Sequence, residues 1–137
     1  HWRYLVIYLS AGLMGNLFSY QFSQNISAGA STALFGLFAV FLALRNLFPR
    51  NYYIQNIGSQ YLMLVVMNLV FGFLGSGIDI WGHIGGLVGG FLMTMALVQG
   101  DGQDKRWMQR IGSAVSYIVI AIFILVNHGT FNTLFGG

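Results

Sequence analysis

Charge is distributed along this chain in a way that few folds permit. Six basic and three acidic residues leave uncharged intervals at 4–44, 51–78, 80–100 and 111–137. A helix needs about 20 predominantly apolar residues to cross a bilayer, and every interval is that long. The first is long enough for two crossings, divided by the polar patch YQFSQN at 20–25. Composition agrees: 56% of residues are hydrophobic and 7% are charged, whereas an average soluble domain has about 25% charged residues. The expected fold is all-α, a polytopic transmembrane helix bundle. Five spans are expected, at 4–20, 28–46, 59–75, 82–99 and 111–127, in one membrane domain covering 1–137.

Loop charges orient the bundle. When the loops are numbered alternately from the N-terminal end, Arg3, Arg45, Arg50, Lys105, Arg106 and Arg110 all fall on one side. The loops at 21–27 and 75–81 carry no Lys or Arg. The excess of Lys and Arg on cytoplasmic loops makes the basic side cytoplasmic. The net charge of +3 is then a matter of topology, since six scattered basic residues form no patch for nucleic acid. The opening HWRY has no signal-peptide pattern and is expected to be the interior of a longer protein. The expected setting is a multi-pass protein of a bacterial cell membrane.

Lipid supplies no hydrophobic force between helices, so close backbone approach through small residues must hold them together. WGHIGGLVGG at 81–90 has small residues four apart at Gly82/Gly86, Gly85/Gly89 and Gly86/Gly90. The fourth span is therefore expected at the centre of the bundle. The fifth, β-branched over most of its length, is expected at the periphery.

An ionisable residue within a membrane is costly and points to function. His1 and His128 lie at chain or span ends, whereas His83 lies at the head of the glycine-rich span, on the same side as Ser31 at the head of the second. Both spans run from the outer face inward, which places the two residues at similar depth. Serine becomes a useful nucleophile when a base within hydrogen-bond reach takes its proton, and imidazole is the usual base at neutral pH. The bland alternatives are a capping serine and a packing histidine. Asp79, four residues before His83, invites a triad, although a loop acid at an interface is unremarkable. The chain has no cysteine, no glutamate and no His-Glu-x-x-His pattern, so neither metal nor cofactor is expected.

The motifs GASTALFGL and WGHIGGLVGG, with RYLVIYLSAGLMGNL before them, resemble the rhomboid intramembrane serine proteases over nearly the whole chain. The resemblance implies Ser31 as nucleophile and His83 as base, a dyad without an acidic third member. It makes Gly29 the glycine two before the nucleophile, Phe35 the aromatic that packs on the imidazole, and Gly86 the glycine that lets two helices touch. Thr32 stands where the family commonly has glycine. The family's first two helices, with the second-helix His and Asn that help to bind the oxyanion, have no counterpart in these residues. The implied partners are transmembrane protein substrates and the lipid bilayer, and the implied reaction is peptide-bond hydrolysis. The loop GSGIDIW at 75–81 is expected to cover the site. The rival readings are a non-catalytic rhomboid-like protein that binds client helices, against which an intact serine and histidine argue, and a small transporter, which would need ionisable groups deeper in its spans.

Overall fold

The computed structural model describes residues 1–23, 29–75, 77–101 and 106–135. They form five helices: α1 (Trp2–Phe22), α2 (Gly29–Leu47), α3 (Tyr52–Leu74), α4 (Ile80–Leu97) and α5 (Arg106–Phe135). There is no strand among the described residues. The all-helical bundle expected from the charge-free intervals is what the chain builds. Four helices, α2 to α5, are both long and apolar enough to cross a membrane. Ser10, Asn16, Ser19 and Gln21 make α1 less apolar, yet it is 21 residues long and lies antiparallel to α2 and α4. Gly15 meets Thr32 and Gly82, while Ala11 meets Gly36 and Gly89.

The glycines of α4 form two rows on adjacent faces, and each row receives a different helix. Gly86 and Gly90 face α2, where an added Cβ would strike the carbonyl oxygens of Thr32 and Gly36. Gly85 and Gly89 face α1, where a Cβ would lie 2.7 Å from the Met14 carbonyl oxygen and 2.6 Å from the Met14 Cβ, respectively. Dispersion falls off steeply with separation, so backbones this close gain contact that larger side chains would prevent. All five glycines from Gly82 to Gly90 are buried, together with Thr94, Met95 and Ala96 further along α4. The central position expected for this helix is thus built from bare backbone.

α2 and α4 run parallel. Their C-terminal ends converge on a cluster of Ala43, Leu47 and Met95, with Phe48, Phe91 and Val98 packed around it. The Asp101 N–H donates to the Leu47 carbonyl at 2.9 Å, tying the chain after α4 to the end of α2.

α3 starts seven residues earlier than hydropathy predicted, at Tyr52 in place of 59. The polar run YYIQN dilutes the hydropathy but contains what the helix start needs. Asn51 caps α3 through its side chain, which accepts from the Ile54 N–H at 3.1 Å. Gln55 Nε2 then donates to the carbonyls of Arg45 at 2.7 Å and Phe48 at 3.2 Å. A single amide side chain thereby takes up the Arg45 carbonyl, in the last turn of α2 where the helix leaves carbonyls unpaired, and the Phe48 carbonyl just beyond it. Beyond this hairpin α3 touches little else, and Phe41 stacks on Tyr61 with ring centroids 4.0 Å apart.

α5 likewise extends past its predicted span at both ends. It lies at the periphery, and polar contacts tie it to α1 and α4. Tyr117 Oη donates to the Ser10 carbonyl at 2.7 Å, and Arg110 Nε donates to the Ala96 carbonyl at 2.9 Å. Outward faces carry exposed Leu5, Leu9, Val66, Val70, Ile118 and Ile122. In water these would be a liability, but lipid accommodates them once every backbone group is satisfied within a helix.

Candidate active site

Parallel packing of α2 and α4 brings their N-terminal ends together on one side of the bundle. Ser31 lies in the first turn of α2 and His83 in the first turn of α4. Their side chains meet: Ser31 Oγ and His83 Nε2 are 3.3 Å apart, a contact between residues 52 positions apart in sequence. With Nε2 unprotonated, the Ser31 hydroxyl donates to it. Sidedness and depth, read from the sequence as shared, have their physical origin in the glycine row. Gly86 lies against the Thr32 carbonyl, and no bulkier residue there would let the first turns approach.

The imidazole is held from a second direction. The Phe35 ring lies on it nearly flat, with centroids 4.0 Å apart and planes 10° from parallel. Phe35 is itself buried, one helical turn after Ser31, so α2 supplies both the hydroxyl and the surface against which the histidine rests. Stacking restricts rotation of the ring about its Cβ–Cγ bond and leaves its edge nitrogen directed at the serine.

Gly29 is the first residue of α2. The helix start places the backbone N–H of Ser31 at the positive end of the helix dipole, where developing negative charge is favoured. Thr32, the residue after Ser31, is fully buried. A Cβ on Gly15 would come within 2.7 Å of the Thr32 Cβ, and one on Gly82 within 2.8 Å of its Cγ2. The threonine side chain is therefore wedged between α1 and α4, where it fills the space that the two glycines leave.

Asp79 has a structural role that its spacing alone did not reveal. Oδ1 accepts from the Gly82 N–H at 3.0 Å, and the Asp79 carbonyl accepts from the His83 N–H at 3.2 Å. The residue is the N-cap of α4, and by starting the helix it sets the position of His83. The sequence signal for this was present, since an Asp directly before an apolar run is a common helix start. The loop expected to cover the site is shorter than 75–81, because Ile80 and Trp81 already belong to α4. Residue 76 is outside the described residues, and Gly77 has a φ of +90° that a side chain would disfavour. Trp81 packs on Phe22 of α1 with centroids 5.0 Å apart, an aromatic pair at the same end of the bundle as Ser31 and His83. The loop at 21–27 lies for the most part outside the described residues. Among the described residues, no three His, Cys, Asp or Glu side chains gather as metal ligands would.

Residues 1–100 match the model of the Rhomboid domain. The chain belongs to the rhomboid family. The matched stretch runs from α1 through α4 and so contains both Ser31 and His83. Among curated rhomboids, the chain is 42% identical to Rhomboid protease GluP of Bacillus subtilis over 125 residues, covering 90% of this chain and 24% of that protein. It is 33% identical to Putative rhomboid protease YdcA of the same organism, covering 71% of this chain and 49% of that one. RHOMBOID-like protein 7 of Arabidopsis thaliana is 40% identical, over 67% of this chain and 30% of its own length. The chain thus spans less than half the length of these rhomboids. No solved structure matches it. With four long apolar helices and rhomboid membership, the protein is an integral membrane protein of an intramembrane protease family.

Proposed function

We propose that the protein containing this chain is an intramembrane serine endopeptidase that cleaves transmembrane segments of other membrane proteins. The observation that carries the reading is the 3.3 Å approach of Ser31 Oγ to His83 Nε2. Few purposes other than activating a hydroxyl would repay holding an imidazole against a serine at the head of two membrane helices.

In this reading His83 Nε2 takes the Ser31 proton as Oγ attacks the scissile carbonyl carbon. The resulting oxyanion faces the first turn of α2, where the positive end of the helix dipole favours negative charge. His83 then passes its proton to the leaving nitrogen, which departs as an amine and leaves Ser31 acylated. Water, deprotonated by the same imidazole, attacks the ester, and release of the carboxylic acid returns Ser31 to its hydroxyl. A substrate helix must unwind locally first, because a helical peptide bond is shielded by its own side chains and hydrogen bonds. The site's place near one end of the bundle supports entry of water from the adjacent surface. The basic loops support an extracytoplasmic location for the site, and the likeness to Bacillus subtilis rhomboids supports a bacterial cell membrane.

The test is made on the full-length protein in bilayer nanodiscs, with a transmembrane model substrate and a fluorophosphonate probe for activated serines. Ser31→Ala is expected to abolish both cleavage and labelling, and His83→Ala to do so nearly as completely, since a nucleophile and its base act as one unit. A folded wild-type protein that neither cleaves nor shows Ser31-dependent labelling would refute the reading.

A further inference from the structure

At the opposite end of α4 from His83, where the chain passes into α5, the basic face of the bundle contains a pocket of about 110 Å³. Gln99, Gly100, Arg106, Trp107 and Arg110 line it. Deeper along the same two helices lies an open groove of about 370 Å³ lined by Ala96, Trp107, Arg110, Ile111 and Ala114. Trp107 and Arg110 line both, so pocket and groove adjoin along α5. The shape is that of an amphiphile: cationic at the membrane surface and apolar toward the bilayer interior.

Both arginines are held in place by their Nε atoms. Arg106 Nε donates to the Asp101 carbonyl at 2.5 Å, and Arg110 Nε donates to the Ala96 carbonyl at 2.9 Å. Among the described residues neither guanidinium forms an ion pair. Asp101, the nearest described acid, contributes its backbone oxygen to Arg106. A guanidinium has five N–H donors, and with Nε occupied the terminal nitrogens remain as the fork that suits a phosphate. Trp107, 59% exposed, has the amphipathic ring that settles at headgroup level.

The geometry points to a binding site for one anionic phospholipid, its phosphate between Arg106 and Arg110 and an acyl chain along Ala96, Ile111 and Ala114. A soluble phosphate would use the pocket alone. The apolar groove adjoining the pocket is what favours the lipid, and two arginines on one phosphate favour an anionic headgroup over a zwitterionic one.

The test uses full-length protein in nanodiscs of phosphatidylcholine doped with phosphatidylglycerol, with retained lipid read by native mass spectrometry. Wild type is expected to retain one phosphatidylglycerol in preference to phosphatidylcholine. The Arg106→Gln/Arg110→Gln variant should lose about thirtyfold in that preference, about a fivefold loss for each basic residue at an anionic surface. Equal retention by the folded variant, or no preference in wild type, overturns the site. If inorganic phosphate at millimolar concentration displaces the lipid completely, the site recognises phosphate alone and the lipid assignment fails. A second measurement needs no variant: phosphatidylglycerol with a photoreactive acyl chain should crosslink wild type at Trp107, Ile111 and Ala114. Crosslinks scattered over the lipid-facing helices, with no concentration there, would also overturn it.

Discussion

The Phe35 ring stacks on the His83 imidazole at 4.0 Å and 10°, while the same imidazole reaches Ser31 at 3.3 Å. Two residues of α2, one turn apart, thus determine where a residue of α4 points. If Phe35 positions the base, Phe35→Ala should lower kcat of the full-length protein by about ten- to a hundredfold, as loose placement of a reacting group does. KM should change little, and Phe35→Tyr should restore most of the rate because the stacked ring is kept. Steady-state cleavage of a model substrate checks the split. A Phe35→Ala protein with unchanged kcat would show that the ring is only filler.

Helix contact at the glycine row predicts a sharp contrast between two conservative changes. Gly86→Ala places a methyl against the Thr32 carbonyl, whereas Gly112→Ala meets nothing within 4 Å. Overpacking of this kind costs about 1–3 kcal/mol, and backbone that cannot yield raises the cost. Gly86→Ala should therefore lower the thermal midpoint by several degrees and, by separating α2 from α4, suppress Ser31 labelling. Gly112→Ala should leave labelling unchanged and should hold or slightly raise the midpoint, since alanine favours a helix interior over glycine.

Asp79 distinguishes a helix cap from a catalytic acid. Asp79→Asn keeps an oxygen able to accept from the Gly82 N–H and should retain activity within a few-fold. Asp79→Ala should cost about 1 kcal/mol of stability, the usual worth of an N-cap. A triad aspartate behaves differently, since its change to Asn lowers kcat by about 10⁴-fold. Measuring both variants by cleavage rate and thermal unfolding decides between the roles, and a collapse of kcat in Asp79→Asn would restore the triad.

The orientation of the bundle is tested by thiol labelling, because the chain has no cysteine of its own. Tyr52→Cys, at the start of α3 and 87% exposed, should react with an impermeant reagent only after the membrane is opened. Ile78→Cys, just before α4 and 42% exposed, should react in intact cells. The reverse pattern would move the candidate site to the cytoplasmic leaflet.

Much of this protein was legible without its structure, and for a single reason. In a bilayer an uncharged interval of span length has to become a helix, because backbone groups find no water to satisfy them. The spacing of nine charged residues, with the polar patch at 20–25 dividing the first interval, therefore determined the helix number, the alternating direction and the shared side of Ser31 and His83. Small residues four apart marked α4 as central. Helix ends were less legible: YYIQN reads as polar connection until Asn51 caps α3 and Gln55 reaches back to the carbonyls of α2. What only the tertiary structure decided is which face meets which. The sequence could not say that Gly86 and Gly90 serve α2 while Gly85 and Gly89 serve α1, that Thr32 fills the gap at Gly15 and Gly82, or that Asp79 caps the helix bearing His83. Those assignments depend on helix rotation about its own axis. Rotation is set by side chains and backbones meeting across helices, and no periodicity within a single helix contains that information.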